Sequence, residues 1–478
     1  MTHSNDNKEY LSLNFLENPN AVALITNSSQ VTFKSLSRLV KNAANKLLNA
    51  GVSNNCNCAI ISENNIDFII SVIALWKIGT VPVPLNIRLT NQELNNQIKF
   101  TDCAYVLIHK EIKSKFSFET GTTVIEIPFY DSVQPIDSDH EIELNFDKNS
   151  LILFTSGSSD KPKAVVFTFG NFHSSALQTY KLSGARQNDT WLASLPLYHI
   201  GGFMIFIRAL FNRSTLLLPG PLTNESLTTF INEHNPSFIS FVSTQLLRIT
   251  SAKTAPNSKL KALFIGGGPI EKNMLLEAIK LGWPIIKVYG STETCSMVSA
   301  LDLRKKLIKL DSAGKAIQDN SITILGKNKG EVLIEGLSVA NGYYKEESQN
   351  LINGKFHSND YGFIDEDGYL FIEGRIDDII ISGGENINAN EITNTLLENI
   401  LIADVYTFGV KDKQWGQSVA CAVVPAKTGL NENMIRDYLK SKIASYKIPK
   451  NIYIIKSIPK TALGKVRKEE LLKMLSLY

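Results

Sequence analysis

The stretch from Cys58 to Leu85 constrains the fold more than any other part of the chain. Cys58–Ser62 and Val81–Leu85 are short apolar runs of strand length. Between them Ile66–Ile78 is apolar on nearly every side and stops at Gly79. Two strands joined by a buried helix run parallel, with the helix packed on the sheet they share. The flanking segments continue the pattern. Ala21–Thr26 and Gln30–Phe33 read as strands around an Asn27-Ser28-Ser29 turn. Leu36, Leu39, Val40, Ala43, Ala44, Leu47 and Leu48 then recur at helical spacing up to Gly51. Asn91–Phe100 reads as a helix and Ala104–Ile108 as a strand, whereas Glu111 to Asn145 is polar and reads as surface.

Strand and helix signals then alternate through Leu151–Phe154, Ala164–Phe167, Asn171–Leu182, Trp191–Leu195, Met204–Phe211, Ser214–Leu218, Phe238–Val242, Leu260–Ile265 and Ile285–Val288. Residues 312–374 turn to short strands. From Glu373 to Ile387 charged turn residues lead into a fresh strand, and the remainder of the chain reads as a self-contained α+β set. Its parts are a helix at Ala389–Glu398, strands at Asp404–Val410 and Ser418–Val424, a helix at Asn431–Ile443, a strand at Asn451–Ile455 and a last helix near Lys468–Leu477. The expected class is therefore α/β. A large N-terminal domain (1–376) carries parallel-type sheets with packed helices and a β-rich subdomain, and a small α+β domain (377–478) completes the chain. A chain of 478 residues exceeds one ordinary core.

Composition excludes several classes of function. The net charge of +3 gives no argument for nucleic acid. Between Lys440 and Lys473, ten Lys/Arg face two acids, which suits either a phosphorylated ligand or a solvated face. The five cysteines are scattered and odd in number, which reads as free thiols in a reducing compartment. The N-terminus has no signal-peptide pattern. The longest apolar run, Phe68–Trp76, is too short to span a bilayer. A cytoplasmic protein is expected, and self-association as a homodimer stays open.

Chemistry concentrates in loops at the ends of strands. Thr155-Ser156-Gly157-Ser158-Ser159-Asp160-Lys161-Pro162-Lys163 is slung between two strands. Its hydroxyls, backbone N–H groups and lysines can wrap a polyphosphate, and a solvated hairpin loop is the alternative. It is not a Walker loop, which needs two glycines, then Lys and Ser/Thr opening a helix. His199-Ile200-Gly201-Gly202-Phe203 leads into an apolar helix that contains Arg208, a cation needing an anion or a route to the surface. His199 itself reads as either a core histidine or a catalytic one. Gly266-Gly267-Gly268, after a strand, lets a flat base or sugar lie on backbone. Tyr289-Gly290-Ser291-Thr292-Glu293-Thr294 combines a ring to stack on a base, hydroxyls, and a carboxylate suited to a hard cation. A capped strand–helix turn is its plain alternative. Asp360 can bind a ribose diol or cap its turn, and Lys465 is presented on a glycine-containing loop.

Four ordered stretches, Thr155–Lys163, Tyr289–Thr294, Asp360 with Gly374-Arg375-Ile376-Asp377-Asp378, and Pro459–Lys465, resemble the adenylate-forming superfamily of acyl-CoA synthetases, luciferases and peptide-synthetase adenylation domains. The likeness runs from about Ala21 to the end. It departs from the usual pattern at Asp160 and Ala164, where glycines are customary. The resemblance implies an acid–thiol ligase that uses ATP and Mg2+ to form an acyl-adenylate and then passes the acyl group to CoA. It implies that Thr155, Ser156, Gly157, Ser158, Ser159 and Lys163 hold phosphates. Gly266, Gly267, Gly268, Tyr289, Gly290, Ser291 and Thr292 would line the nucleotide, and Asp360 and Arg375 would bind ribose. Glu293 would bind the metal, with Lys465 and His199 catalytic. The small domain would be mobile about a hinge at Asp377 and bring Gly383 and Gly384 to a CoA channel. The segments around His199 and Gly266 most resemble the o-succinylbenzoate–CoA ligases of menaquinone biosynthesis, with His199, Gly202, Phe203 and Arg208 in the acyl pocket. Another aryl- or short-acyl-CoA ligase, a carrier-protein-loading enzyme and a degenerate nucleotide-binding protein are the alternatives.

Overall fold

A computed structural model of the chain describes residues 10–15, 17–128, 141–155, 163–220, 224–268, 270–305, 307–352, 354–376, 379–382, 385–412, 415–460 and 466–477. The chain divides into two compact units. One holds Met1–Ile322, Ile334–His357 and Gly368–Leu370; the other holds Thr323–Leu333, Ser358–Asp367 and Phe371–Tyr478. Charged turn residues lead to an expected boundary at 376/377, whereas compactness groups Asp360 and Arg375 with the C-terminal unit.

The first unit is built on two sheets of parallel type. In the larger, six neighbouring strands run parallel in the order Ile285–Tyr289, Ala262–Ile265, Phe238–Phe241, Thr190–Leu192, Thr215–Leu218 and Val22–Thr26. Antiparallel strands close both edges, Ser299–Asp302 with Lys315–Ala316 on one side and Gln30–Thr32 on the other. The parallel strands are apolar because helices cover both faces. On one face Leu192, Leu217, Ile239, Phe241, Leu263, Ile265 and Ile285 join Leu246, Ile249 and Leu275 in a single core cluster. Trp191, Phe238 and Phe264 stack within the sheet, the two phenyl rings at 4.4 and 6.1 Å from the Trp191 ring. Each such side chain, fully buried, contributes about 1.5–3 kcal/mol relative to exposure.

The second sheet bears out the strand–helix–strand reading. Asn57–Ile61 lies between Val81–Pro84 and Tyr105–His109, all parallel, and Thr123–Ile127 adds a further parallel edge. The helix Ile66–Lys77 is capped by Asn65, whose side chain accepts from the Phe68 N–H. Its Trp76 packs against Phe169, Phe172, Phe203 and Phe206, and its indole N–H donates to the Ser150 carbonyl at 2.7 Å. Thr123–Ile127 lies inside the stretch expected to be plain surface. As an edge strand it mixes exposed, half-buried and buried residues, so its apolar signal is weak. Tyr10–Asn14 pairs antiparallel with Glu141–Asn145, a long-range pairing that no local pattern announces. The helices Asn224–His234 and Ser243–Ser251 also escape the sequence reading.

The second unit contains a sheet in the order Glu385–Asn388, Ile379–Ser382, Gly416–Pro425, Ile402–Asp412, with Asn451–Ile454 pairing parallel to Gly416–Pro425. Ile392, Leu396, Ile435 and Leu439 from two helices bury against Val405, Val419, Cys421 and Val423. This is the α+β arrangement expected for the C-terminal part. Among the described residues no helix is long and apolar enough to cross a membrane, and the five cysteines are free thiols.

Candidate active site

In a parallel sheet the strand ends that carry loops for chemistry are the C-terminal ones. Three of the expected segments emerge there. The strand Thr190–Leu192 leads to His199, Ala262–Ile265 leads to Gly266–Gly268, and Ile285–Tyr289 leads to Gly290–Thr294. The last two strands are neighbours, with Ile265 beside Lys287 in the register, so their loops leave side by side.

The loop after Tyr289 is wound tightly. The Val298 N–H donates to the Tyr289 carbonyl at 2.8 Å and the Cys295 N–H to the Thr292 carbonyl at 3.1 Å. Thr294 Oγ1 accepts from the Ser291 N–H at 2.8 Å and shares its proton between the Ser291 and Ser296 carbonyls. Cys295 and Ser296 both take left-handed backbone, with φ of 54° and 89°, a conformation that costs energy in residues other than glycine. Gly290 is required: a Cβ there would overlap the Ser296 carbonyl. Gly266 is equally confined, its added Cβ falling 2.8 and 2.9 Å from Val288 atoms. Gly267 (φ 85°) and Gly268 lie exposed beyond it.

Glu293 is half-buried and held at two points. Its carbonyl accepts from the Ala340 N–H at 2.8 Å, and its Oε1 accepts from the Tyr343 hydroxyl at 3.0 Å. Tyr343 belongs to a short strand, Gly342–Tyr343, paired antiparallel with the strand Ala164–Thr168 that leaves the Ser/Gly loop. That loop is closed at its base, where the Thr155 N–H donates to the Lys163 carbonyl at 2.8 Å and the Lys163 N–H to Thr155 Oγ1 at 3.2 Å. The Lys163 ammonium sits 4.7 Å from the Tyr343 ring centroid and 3.0 Å from Glu346 Oε1. Lys163 and Glu293 thus meet on Tyr343, a residue the sequence reading missed, and Thr155 joins them through Lys163. The only local signal was an aromatic pair after glycine, Gly342-Tyr343-Tyr344.

The segment around His199 differs in detail from expectation. The helix is Ile200–Phe211, beginning a turn earlier than the apolar run suggested, with His199 as its N-cap residue. Gly202 lies in that first turn because a Cβ there would overlap the Pro196 carbonyl, so the close approach is made by the chain's own backbone. Phe203 is fully buried among Trp76, Phe172 and Phe206. The His199 ring packs edge-on against Tyr198 at 4.9 Å. Arg208 is 1% exposed. It donates to Thr179 Oγ1 at 3.1 Å and Ser296 Oγ at 3.3 Å, and among the described residues no carboxylate pairs with it. Burial brings its pKa down to about 10, opposed by Cys295 and Tyr180. It therefore stays charged at neutral pH. The Ser291 hydroxyl is also buried without a hydrogen-bond partner among the described residues.

In the second unit Asp360 and Arg375 stand on paired strands, Lys355–Ile364 and Leu370–Arg375. Arg375 Nη1 donates to Asp360 Oδ1 at 3.1 Å and to the Ser358 carbonyl at 3.0 Å. An antiparallel bridge joins Lys460 and Val466, the described residues on either side of Lys465 in sequence. Ser156, Gly157, Ser158, Ser159, Asp160, Lys161, Asp377, Gly383, Gly384 and Lys465 lie outside the described residues.

Among the described residues no group of three or more His, Cys, Asp or Glu could hold a metal alone. A single carboxylate beside the Ser/Gly loop suits a different arrangement, in which magnesium takes one protein oxygen, substrate phosphates and waters. Glu293, with one oxygen anchored and no cation paired to it among the described residues, fits that role.

Comparison with known proteins extends the reading to the whole chain. The AMP-binding enzyme family matches residues 14–344, and the AMP-binding enzyme C-terminal domain matches 391–465. The 2-succinylbenzoate–CoA ligase of Bacillus cereus (strain Q1) is 30% identical over 472 residues, 95% of either chain. That of Listeria monocytogenes is 31% identical over 461 residues, covering 95% of this chain and 96% of its own. The o-succinylbenzoate CoA synthetase of Bacillus subtilis is 28% identical and superposes with a TM-score of 0.87 in complex with the acyl-adenylate OSB-AMP, over 97% of this chain and 98% of that one. Its complex with ATP and magnesium superposes with a TM-score of 0.89, over 97% and 99%.

Proposed function

This chain belongs to the AMP-binding enzyme family, and we propose that it is an ATP-dependent acid–CoA ligase whose acid is 2-succinylbenzoate, a step of menaquinone biosynthesis. The observation that carries the site reading is the Glu293 carboxylate held next to the base of the phosphate loop, at the C-terminal ends of the parallel strands. The acid is drawn from relatives that match along 95% of the chain. The reading sets the enzyme in the cytoplasm, where ATP and CoA are supplied.

The reaction runs as two displacements. A carboxylate oxygen of the acid attacks the α-phosphorus of ATP, the P–O bond to pyrophosphate breaks, and an acyl-adenylate remains. The CoA sulfur then attacks the acyl carbon, the C–O bond to AMP breaks, and the thiol proton passes to solvent. Negative charge moves onto the leaving pyrophosphate in the first step. Thr155, Ser156, Gly157, Ser158, Ser159 and Lys163 surround those phosphates and meet the charge with N–H, hydroxyl and ammonium groups. Glu293 holds magnesium, which when bound neutralises phosphate charge. Gly266–Gly268 and Tyr289 to Thr292 present backbone and one ring to adenine, and Asp360 and Arg375 take the ribose hydroxyls. His199 and Arg208 belong to the acyl pocket, which Gly202, packed on the Pro196 carbonyl, and Phe203, buried among core aromatics, support from behind. Lys465 supplies positive charge for adenylation. A swing of the C-terminal domain (377–478) about Asp377 then withdraws it and brings Gly383 and Gly384 to the CoA path.

The test is pyrophosphate release from Mg-ATP with 2-succinylbenzoate, with and without CoA, beside benzoate and a medium-chain fatty acid. Release and thioester formation with 2-succinylbenzoate alone are expected. Release with a different acid only would keep the chemistry and discard this substrate. Lys465→Ala should slow adenylation sharply while ATP binding persists; equal inertness of both proteins with every acid would overturn the ligase reading.

A further inference from the structure

We propose that Tyr343 is a positioning residue that couples the metal-binding carboxylate of Glu293 to the closing end of the phosphate loop. The inference rests on the proposed roles of Glu293 and the loop, and assigns a task to a residue outside both motifs.

Three contacts converge on Tyr343. Its hydroxyl donates to Glu293 Oε1 at 3.0 Å. Its ring carries the Lys163 ammonium 4.7 Å from the centroid, inside the range in which the ring quadrupole attracts a cation. Its backbone is paired opposite Val165, and the next residue, Tyr344, donates its N–H to the Ala164 carbonyl at 2.7 Å. The flanking residues grip the same two targets. Ala340 N–H holds the Glu293 carbonyl at 2.8 Å, and Glu346 holds Lys163 at 3.0 Å. One short segment, 340–346, therefore fastens Glu293 by main chain and side chain and fastens the Lys163 ammonium by a ring and a carboxylate.

The physical consequence is orientation. A carboxylate alone can rotate and change its rotamer. With Oε1 committed to a phenol that is itself locked in a strand pair, the other oxygen has a fixed direction. Losing a partner that orients a metal ligand typically costs about ten- to a hundredfold in metal affinity. Because the same ring seats Lys163, the metal-binding oxygen and the loop's closing cation keep a constant separation. ATP that uses both then meets a preformed pair.

Tyr343→Phe removes the hydroxyl but keeps the ring under Lys163 and the strand pairing. Tyr343→Leu removes the ring as well. Binding of Mn2+ to the enzyme–ATP complex, monitored by electron paramagnetic resonance, reads the metal site without turnover. Y343F should weaken Mn2+ binding by about tenfold, leave ATP affinity in EDTA unchanged, and raise the half-saturating Mg2+ in pyrophosphate release while the KM for the acid stays constant. Y343L should additionally weaken ATP binding in EDTA. Glu293→Gln is the reference. If E293Q weakens Mn2+ binding and a folded Y343F, checked by its thermal midpoint, does not, the coupling is wrong. If E293Q itself leaves Mn2+ binding intact, the assignment of Glu293 fails first.

Discussion

The Arg208 guanidinium donates from Nη2 to the hydroxyl of Ser296 at 3.3 Å, and Ser296 is the second of two left-handed residues that end the loop bearing Glu293. The first of them, Cys295, is tied down by Ser175, whose hydroxyl donates to its carbonyl at 2.8 Å. A cation that is 1% exposed is thus held by the hydroxyls of Thr179 and Ser296, with no acid paired to it among the described residues. A buried charge without an acid is costly. 2-Succinylbenzoate carries two carboxylates, one of which reacts and one of which needs a counter-ion.

Arg208→Met keeps most of the volume and deletes the charge. Because Arg208 is buried with only hydroxyls around it among the described residues, deleting the charge also removes its desolvation cost, so thermal stability should be unchanged or higher. The KM for 2-succinylbenzoate should rise roughly ten- to a hundredfold, the worth of a charge-assisted hydrogen bond of about 1.5–3 kcal/mol. An unchanged KM in a folded variant would remove Arg208 from the acyl pocket.

Gly290→Ala places a methyl group on the Ser296 carbonyl. The turn must open, so a loss of about 1–3 kcal/mol in stability is expected, as for overpacking elsewhere. Adenylation should fall further than stability does, because Glu293 rides on the same turn. Denaturant unfolding and pyrophosphate release measured on one preparation separate the two effects. Wild-type values in both would mean that the loop relaxes without cost.

Asp360 and Arg375 present a carboxylate and a guanidinium already joined at 3.1 Å. If they bind the ribose diol, wild type should prefer ATP to 2′-deoxy-ATP, and Asp360→Ala should raise the KM for ATP by about tenfold, roughly 1.4 kcal/mol, while narrowing that preference. A preference that survives D360A would place ribose recognition elsewhere.

Asp302 gives a pH prediction. Burial alone would raise its pKa, but hydrogen bonds and charge from Arg304, with a further bond from Lys305, hold it below the usual carboxylate value. The folded pKa is depressed, so the contribution is complete above the unfolded pKa, near ~4, and is lost as pH falls through the folded value. The gap in thermal midpoint between wild type and Asp302→Asn should be widest near pH ~6 and shrink toward pH ~3. A gap independent of pH would refute the linkage.

Much of the fold was legible because its signals are local. The parallel sheet around Asn57–Ile61 arises from apolar runs separated by one buried helix, and the C-terminal helices show their period within a few turns. The glycine at 290 and the carboxylate at 293 could be read as a site from residue type and order alone. What escaped was relational. Thr123–Ile127 looks like surface because an edge strand buries only part of one face.

The amino-acid order by itself determined the α/β class, the family likeness and which loops hold reactive groups, since each depends on short-range periodicity and motif spacing. Only the tertiary structure decided that Tyr343, 50 residues beyond Glu293, supplies its hydrogen bond and seats Lys163. It also decided that Arg208 ends among the hydroxyls of Thr179 and Ser296, with no acid beside it among the described residues. Such pairings are made when distant strands register and helices pack, and no local propensity encodes which side chains will then face one another.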